Sequence, residues 1–152
     1  MTKKFLAFYL FMSLIFCQIN MAQDVKSNTT KIKRNYLNFY LGFIEWNLNY
    51  EINILQLQKS YSNIRFGVGS WGLIEESGYY LNPSVVHIFG KNNSHLELNL
   101  GIKIFFYEEY MDSNILSDIF VGYRFEKPNG RFVFRTGLNY PTVINLGFGF
   151  KF

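Results

Sequence analysis

The chain has 152 residues, 49% of them hydrophobic and 20% aromatic, with 12 glycines, 3 prolines, one cysteine and a formal charge of +4. That length suits a single domain. The small positive balance excludes the basic footprint of a nucleic-acid binder, and a lone cysteine excludes a disulfide scaffold.

At the N-terminus, Lys3 and Lys4 precede an apolar run from Phe5 to Phe16, and Ala22 follows the short stretch Gln18 to Met21. This is the pattern of a secretory signal peptide over residues 1–22, with cleavage expected after Ala22. The run falls short of the about 20 apolar residues needed to span a bilayer. A lipoprotein signal ending at Cys17 is the weaker alternative, because Phe16 occupies the position where such signals carry a small residue. Removal of Lys3 and Lys4, with no acid in the same segment, lowers the charge from +4 to +2 and also removes the cysteine. Residues 23–34 have no period and are expected to form a flexible lead-in on the periplasmic side. Residues 35–152 remain as the folded domain.

From there the pattern is strand after strand. Leu37, Phe39, Leu41 and Phe43 alternate, and the phase then changes to Trp46, Leu48, Tyr50, Ile52 and Ile54, which marks a turn near Ile44 and Glu45. Ile64, Phe66 and Val68 define a third strand, with Arg65, Gly67 and Gly69 on its other face. A fourth, about Leu81 to Phe89, is blurred by Val85-Val86 and by Pro83, which has no N–H for a ladder. The fifth alternates from His95 to Phe106, with Leu96, Leu98, Leu100, Ile102 and Ile104 opposite Glu97, Asn99, Gly101 and Lys103. Ile115, Ile119, Val121, Tyr123 and Phe125 form the sixth, opposite Asp118, Gly122, Arg124 and Glu126. The seventh sets Phe132, Phe134, Leu138 and Tyr140 against Arg131, Arg135, Gly137 and Asn139. The eighth sets Ile144, Leu146, Phe148, Phe150 and Phe152 against Asn145, Gly147, Gly149 and Lys151. No helical segment intervenes.

The turns Gly90-Lys91-Asn92-Asn93 and Lys127-Pro128-Asn129-Gly130 carry residues that tight hairpins require. Face parity demands an even loop at the second. If Asn129-Gly130 alone forms the loop, Arg124 lies directly opposite Arg135; if all four residues do, the two arginines are diagonal neighbours.

Eight such strands could close with the apolar face inward, as in a soluble barrel, or outward toward lipid. An inward apolar face would crowd about five large side chains per strand into an interior only wide enough for side chains to fill. Turning that face outward forms the apolar band of a membrane barrel, and strands of about ten residues match a tilted span. The expected fold is therefore all-β, an eight-stranded antiparallel up-and-down transmembrane β-barrel.

Asn145, Gly147, Phe150 and Phe152 resemble the polar-x-Gly-x-x-apolar-x-aromatic ending of Gram-negative outer-membrane barrels. Stretches such as Leu48-Asn49-Tyr50-Glu51 and Val121-Gly122-Tyr123-Arg124-Phe125-Glu126 are similar to those of small, porin-like outer-membrane β-barrel proteins. The resemblance implies an outer-membrane location, contact with outer-membrane lipid and recognition of the last strand by the barrel assembly machinery. It brings no catalytic residues, and it leaves the oligomeric state open.

Glu51, Arg65, Glu97, Lys103, Asp118, Arg124 and Arg135 are expected to face the lumen. Rings of charge can make an ion-selective path. In a narrow barrel the favoured reading is a paired network that plugs the interior, because an unpaired buried charge costs about 3 to 5 kcal/mol. The expected role is structural or accessory and non-enzymatic. A narrow channel, or a route for small apolar molecules, is the alternative. A second alternative is a lipid-modifying enzyme built on His87 or His95 with Ser84, but Ser84 and His87 are three residues apart and belong to opposite faces of one strand. His95 is expected at an interface or bonded to its turn. No phosphate loop or metal-ligand spacing is present, and no cofactor is expected. Trp46, Trp71, Tyr79, Tyr80, Tyr107, Tyr110 and Tyr140 are read as interfacial girdles.

Overall fold

The structure is a computed structural model and describes residues 34–72, 78–90, 92–106 and 114–152. The expected signal peptide, most of the lead-in, and Tyr107 and Tyr110 lie outside the described residues. Eight strands follow in sequence: β1 (Asn35–Gly42), β2 (Glu45–Gln56), β3 (Ser60–Trp71), β4 (Gly78–Phe89), β5 (Ser94–Phe105), β6 (Ile115–Glu126), β7 (Phe132–Tyr140) and β8 (Val143–Lys151). Each pairs antiparallel with its neighbours, and β8 returns to β1 to close the barrel. The all-β, eight-stranded antiparallel expectation is borne out.

Alternation explains the closure. Leu37, Phe39 and Leu41 on β1 face outward beside Phe150, Phe148 and Leu146 of β8, while Tyr36, Asn38 and Tyr40 between them are buried. A one-residue slip would exchange the two sets, so the apolar pattern fixes the register. Beyond the strands proper, Asn35 and Phe152 exchange two backbone hydrogen bonds of 3.0 Å.

Two strands depart from the expected outline. β4 starts at Gly78 rather than near Leu81 and runs through Pro83. The β3–β4 ladder is continuous there, whereas the β4–β5 pairing skips from Leu81↔Ile104 to Ser84↔Gly101. The imide nitrogen of Pro83 therefore faces β5, and Asn82 Nδ2 donates to the carbonyl of Ile102 at 3.2 Å in place of the missing N–H. On β2 a bulge lies between Asn53 and Leu55. Asn53 Nδ2 reaches Ser62 O at 3.3 Å and Asn63 Oδ1 at 3.0 Å across it. These bonds satisfy groups that the irregular ladder leaves free.

The turn after β6 takes the tighter of the two registers, with Arg124 directly opposite Arg135 and Gly130 N bonded to Lys127 O at 3.0 Å. Trp46, Tyr79 and Tyr140 face outward. Tyr80 does not belong to a girdle: it is buried in the interior, and Trp71 also turns to that side, its ring 5.1 Å from Lys103 Nζ. Both have the parity of the inner face, which outweighs the average preference of Trp and Tyr for interfaces. The interior is mostly polar. Besides Phe105 and Phe120, its apolar part is a small cluster of Tyr36, Tyr61, Val86, Ile88 and Val133 at the end where β1 begins and β8 ends.

Candidate functional site

The interior is organised by strand register into three levels. At the centre, Glu51 of β2 stands directly opposite Arg65 of β3, and Glu97 of β5 projects from across the barrel. Arg65 Nη2 lies 2.7 Å from both Glu51 and Glu97. Arg124 Nη1 lies 3.1 Å from Glu51 and 3.5 Å from Glu97, and Arg135 is ion-paired to Glu97. Asn38, Tyr40 and Asn63 donate to the remaining lone pairs of Glu51 at 2.9, 3.1 and 2.9 Å. The arginines also stack on rings, Arg135 at 4.0 Å from the Tyr40 centroid and 4.4 Å from that of Phe120. Shared carboxylates, added hydrogen bonds and aromatic faces are the conditions under which buried charge is tolerated.

Toward the end formed by the β1–β2 and β7–β8 turns, Lys103 pairs with Glu45 and stands 3.6 Å from Asp118. Asp118 accepts from Asn82 at 3.1 Å and from Asn99 at 2.8 Å. Glu45 also accepts from Tyr80 at 3.1 Å and from Thr142 at 3.0 Å. Thr142 reaches inward beside Val143, whose φ of 69° is a conformation that L side chains rarely adopt. At the opposite end Glu126 gathers Tyr36 and Tyr61 hydroxyls at 3.2 and 2.7 Å, Arg124 Nε at 3.2 Å and Lys151 Nζ at 3.0 Å.

The seven expected lumen residues thus divide between two levels: Glu51, Arg65, Glu97, Arg124 and Arg135 meet in one cluster, while Lys103 and Asp118 stand together in another. Buried carboxylates Glu45, Glu51, Glu97, Asp118 and Glu126 are matched by Arg65, Lys103, Arg124, Arg135 and Lys151, which makes the filling neutral. Sequence reasoning left Glu45, Glu126 and Lys151 out of the network, although Glu126 and Lys151 have the inward parity. It also overlooked the hydroxyls of Tyr36, Tyr40, Tyr61 and Tyr80. Their parity within each strand was the available signal.

Little space remains. Tyr40, Asn49, Arg65, Asp118, Arg135 and Asn139 are among the residues around an inner void of about 10 Å³, near the lower limit for a single water. Asn49 and Arg135 Nε have no hydrogen-bond partner there, so the void is polar but too small for a hydrated path. Gly147 and Gly149 make the filling possible: a Cβ on Gly147 would collide with the ring of Tyr40, and one on Gly149 with the amide of Asn38.

Ser84 is buried inside and His87 lies on the outer wall, so the two do not meet. His87 Nδ1 instead lies 2.7 Å from Ser62 Oγ, its direct neighbour on β3. No carboxylate is bonded to this pair among the described residues. His95 faces the lumen, and among the described residues no hydrogen bond joins it to its turn. It is buried inside the mouth, 6.2 Å from the Tyr61 ring, because it shares the inward parity of Glu97. Of the C-terminal residues, Asn145 and Gly147 face inward. Phe150 faces outward 6.3 Å from Phe132, and Phe152 lies 6.3 Å from Tyr50.

No protein-family model matches the chain, and no curated protein matches it either. Two solved structures share its fold. A designed transmembrane β-barrel aligns with a TM-score of 0.55 at 8% identity, covering 83% of this chain and all (100%) of that one. The outer membrane protein Ail of Yersinia pestis, in a phospholipid bilayer nanodisc, aligns with a TM-score of 0.52 at 16% identity, covering 79% of this chain and 98% of its own. The chain therefore has the fold of a small transmembrane β-barrel.

Proposed function

We propose that the protein is an outer-membrane β-barrel with a sealed lumen and a structural or accessory, non-enzymatic role in the envelope. The observation that carries this reading is the inner void of about 10 Å³ inside a neutral, cross-linked set of charges. An ion path needs water or coordinating groups along its whole length, and here arginine and carboxylate groups occupy that length.

The outward face supports the membrane part of the proposal. Phe39, Leu48, Phe66, Leu100, Val121 and Phe148 are exposed on six different strands, a continuous apolar band that water would not tolerate but lipid would cover. The likeness to Ail supports the outer membrane as the proposed location, which the chain would reach through its N-terminal signal. In this reading Asn145, Gly147, Phe150 and Phe152 serve as the assembly signal on the last strand.

Planar-bilayer recording on the full chain tests the sealed lumen. The expected record has no resolved single-channel step. A reproducible step at moderate voltage would overturn the proposal and favour the narrow channel.

A further inference from the structure

The mouth at the end where β1 begins holds a cavity of about 320 Å³. Its walls include Gln56 at the end of β2, Lys59 from the β2–β3 turn, Ser60 at the start of β3, Gly90 and Asn92 from the β4–β5 turn, and Arg34 just before β1. Tyr61, His95 and Glu126 form the deeper part, and Val86, Ile88 and Val133 seal the barrel at this end. The cavity is therefore a blind cup and not the entrance to a path.

Its electrostatics are one-sided. Glu126 is the cavity's acid, and it is already met by two tyrosine hydroxyls, Arg124 and Lys151. Arg34 stands 3.7 Å from Glu126 and remains partly exposed, and Lys59 forms no ion pair among the described residues. His95 is buried, yet its Nδ1 has no hydrogen-bond partner. That atom is packed against Gly90, and the His95 ring lines the cavity.

The sequence widens the asymmetry. Among the described residues, the connections at this end carry Lys59, Lys127 and Arg131 and no acid. A basic rim of this kind concentrates anions at the cup.

We propose that this cup is a binding site for a phosphate group carried by a small polar molecule. Arg34 and Lys59 supply the charge, and Tyr61 and His95 form the inner wall against which the ligand would rest. The guanidinium fork suits phosphate oxygens, and the ammonium acts as a point charge beside it. A volume of about 320 Å³ is at the lower end for ligand pockets. It exceeds a bare phosphate and leaves room for a short polar moiety against Asn92 and Gln56. The phosphate comes either from a phospholipid headgroup of the adjoining leaflet or from a soluble phosphate monoester.

The test uses the full chain folded in alkyl maltoside micelles, which contain no phosphate, with glycerol 3-phosphate as the probe. Amide resonances of Gly90 and Asn92 and the ring resonances of His95 should shift saturably. In R34Q/K59Q, whose heat-modifiable gel mobility should stay normal because both side chains are at the rim, the affinity should fall by about tenfold or more. In bilayers of phosphatidylglycerol, shifts of the same resonances without added probe identify the headgroup as the source, and their appearance only with glycerol 3-phosphate identifies the soluble ligand. Absence of saturable shifts in both settings, or equal affinity in R34Q/K59Q, overturns the proposal.

Discussion

Arg124 and Arg135 are direct cross-strand partners on the inner face, and they turn to opposite oxygens of one carboxylate: Arg124 Nη1 lies 3.5 Å from Oε2 of Glu97, and Arg135 is paired with Oε1. Like charges in direct register destabilise a sheet. Here the repulsion is offset by Glu97 and Glu51, each paired with both arginines, and by the rings of Tyr36 and Tyr40 beneath the guanidiniums. The pair is thus stable only as part of the central cluster.

Glu97→Gln should therefore be far more damaging than its small change in shape suggests. It leaves Arg124 and Arg135 facing each other with one carboxylate fewer and should cost about 3 to 5 kcal/mol. Removing the excess charge as well, in E97Q/R135M, should recover a large part of that loss. Urea-induced unfolding from lipid vesicles measures both. A double variant as unstable as the sum of its single changes would show that Glu97 and Arg135 do not act together.

The strand pattern and the inward set of charges were legible because alternation over eight to twelve residues leaves one register per strand, and the clearest case is β5 with Leu96 to Ile104 against Glu97 to Lys103. What escaped had specific causes. Tyr80 and Trp71 were assigned by residue type, and parity overrides type once a strand is paired on both sides. The apolar seal of Val86 and Ile88 could be read only if β4 continued through Pro83, which requires the side-chain bond from Asn82 to Ile102. Glu45 looked like a turn residue, and its role depends on Thr142, which is distant in sequence and bonded to it at 3.0 Å.

Gly147 makes room for the Tyr40 ring, so Gly147→Val should disturb the ring and with it the hydrogen bond of 3.1 Å from Tyr40 to Glu51. Overpacking of this kind costs about 1 to 3 kcal/mol. Tyr40→Leu in the same chain should relieve part of the cost, since it removes the outer ring atoms. Unfolding midpoints in vesicles compare the three variants with the parent, and an unrelieved double variant would place the clash elsewhere.

Asn82 and Pro83 form a second pair whose changes should not add. Asn82→Ala removes the donor to the Ile102 carbonyl and one of the two amides on Asp118. The buried acceptors left behind should cost about 1 to 3 kcal/mol. Pro83→Ala restores a backbone N–H facing β5, so N82A/P83A should be more stable than N82A alone. Hydrogen exchange at residue 83 in the double variant should show protection. Rapid exchange there would mean that the β4–β5 ladder is interrupted for some other reason.

Glu97 and Leu98 are neighbours on β5 that face opposite surroundings at the same height, the first wholly buried in the charge cluster and the second on the outer wall beside Val121. Because the central cluster lies midway along the strands, Leu98 should sit near the bilayer midplane. Leu98→Arg then costs about 2 to 4 kcal/mol, whereas the same substitution at Phe132, close to a strand end, should cost much less because its guanidinium can reach the headgroups. Folding titrations in vesicles of two thicknesses separate depth from local packing: the penalty at Leu98 should grow in the thicker bilayer while that at Phe132 changes little. Equal penalties at the two sites, or no penalty at Leu98, would mean that this face does not meet lipid. The apolar band would then have to be covered by another protein surface.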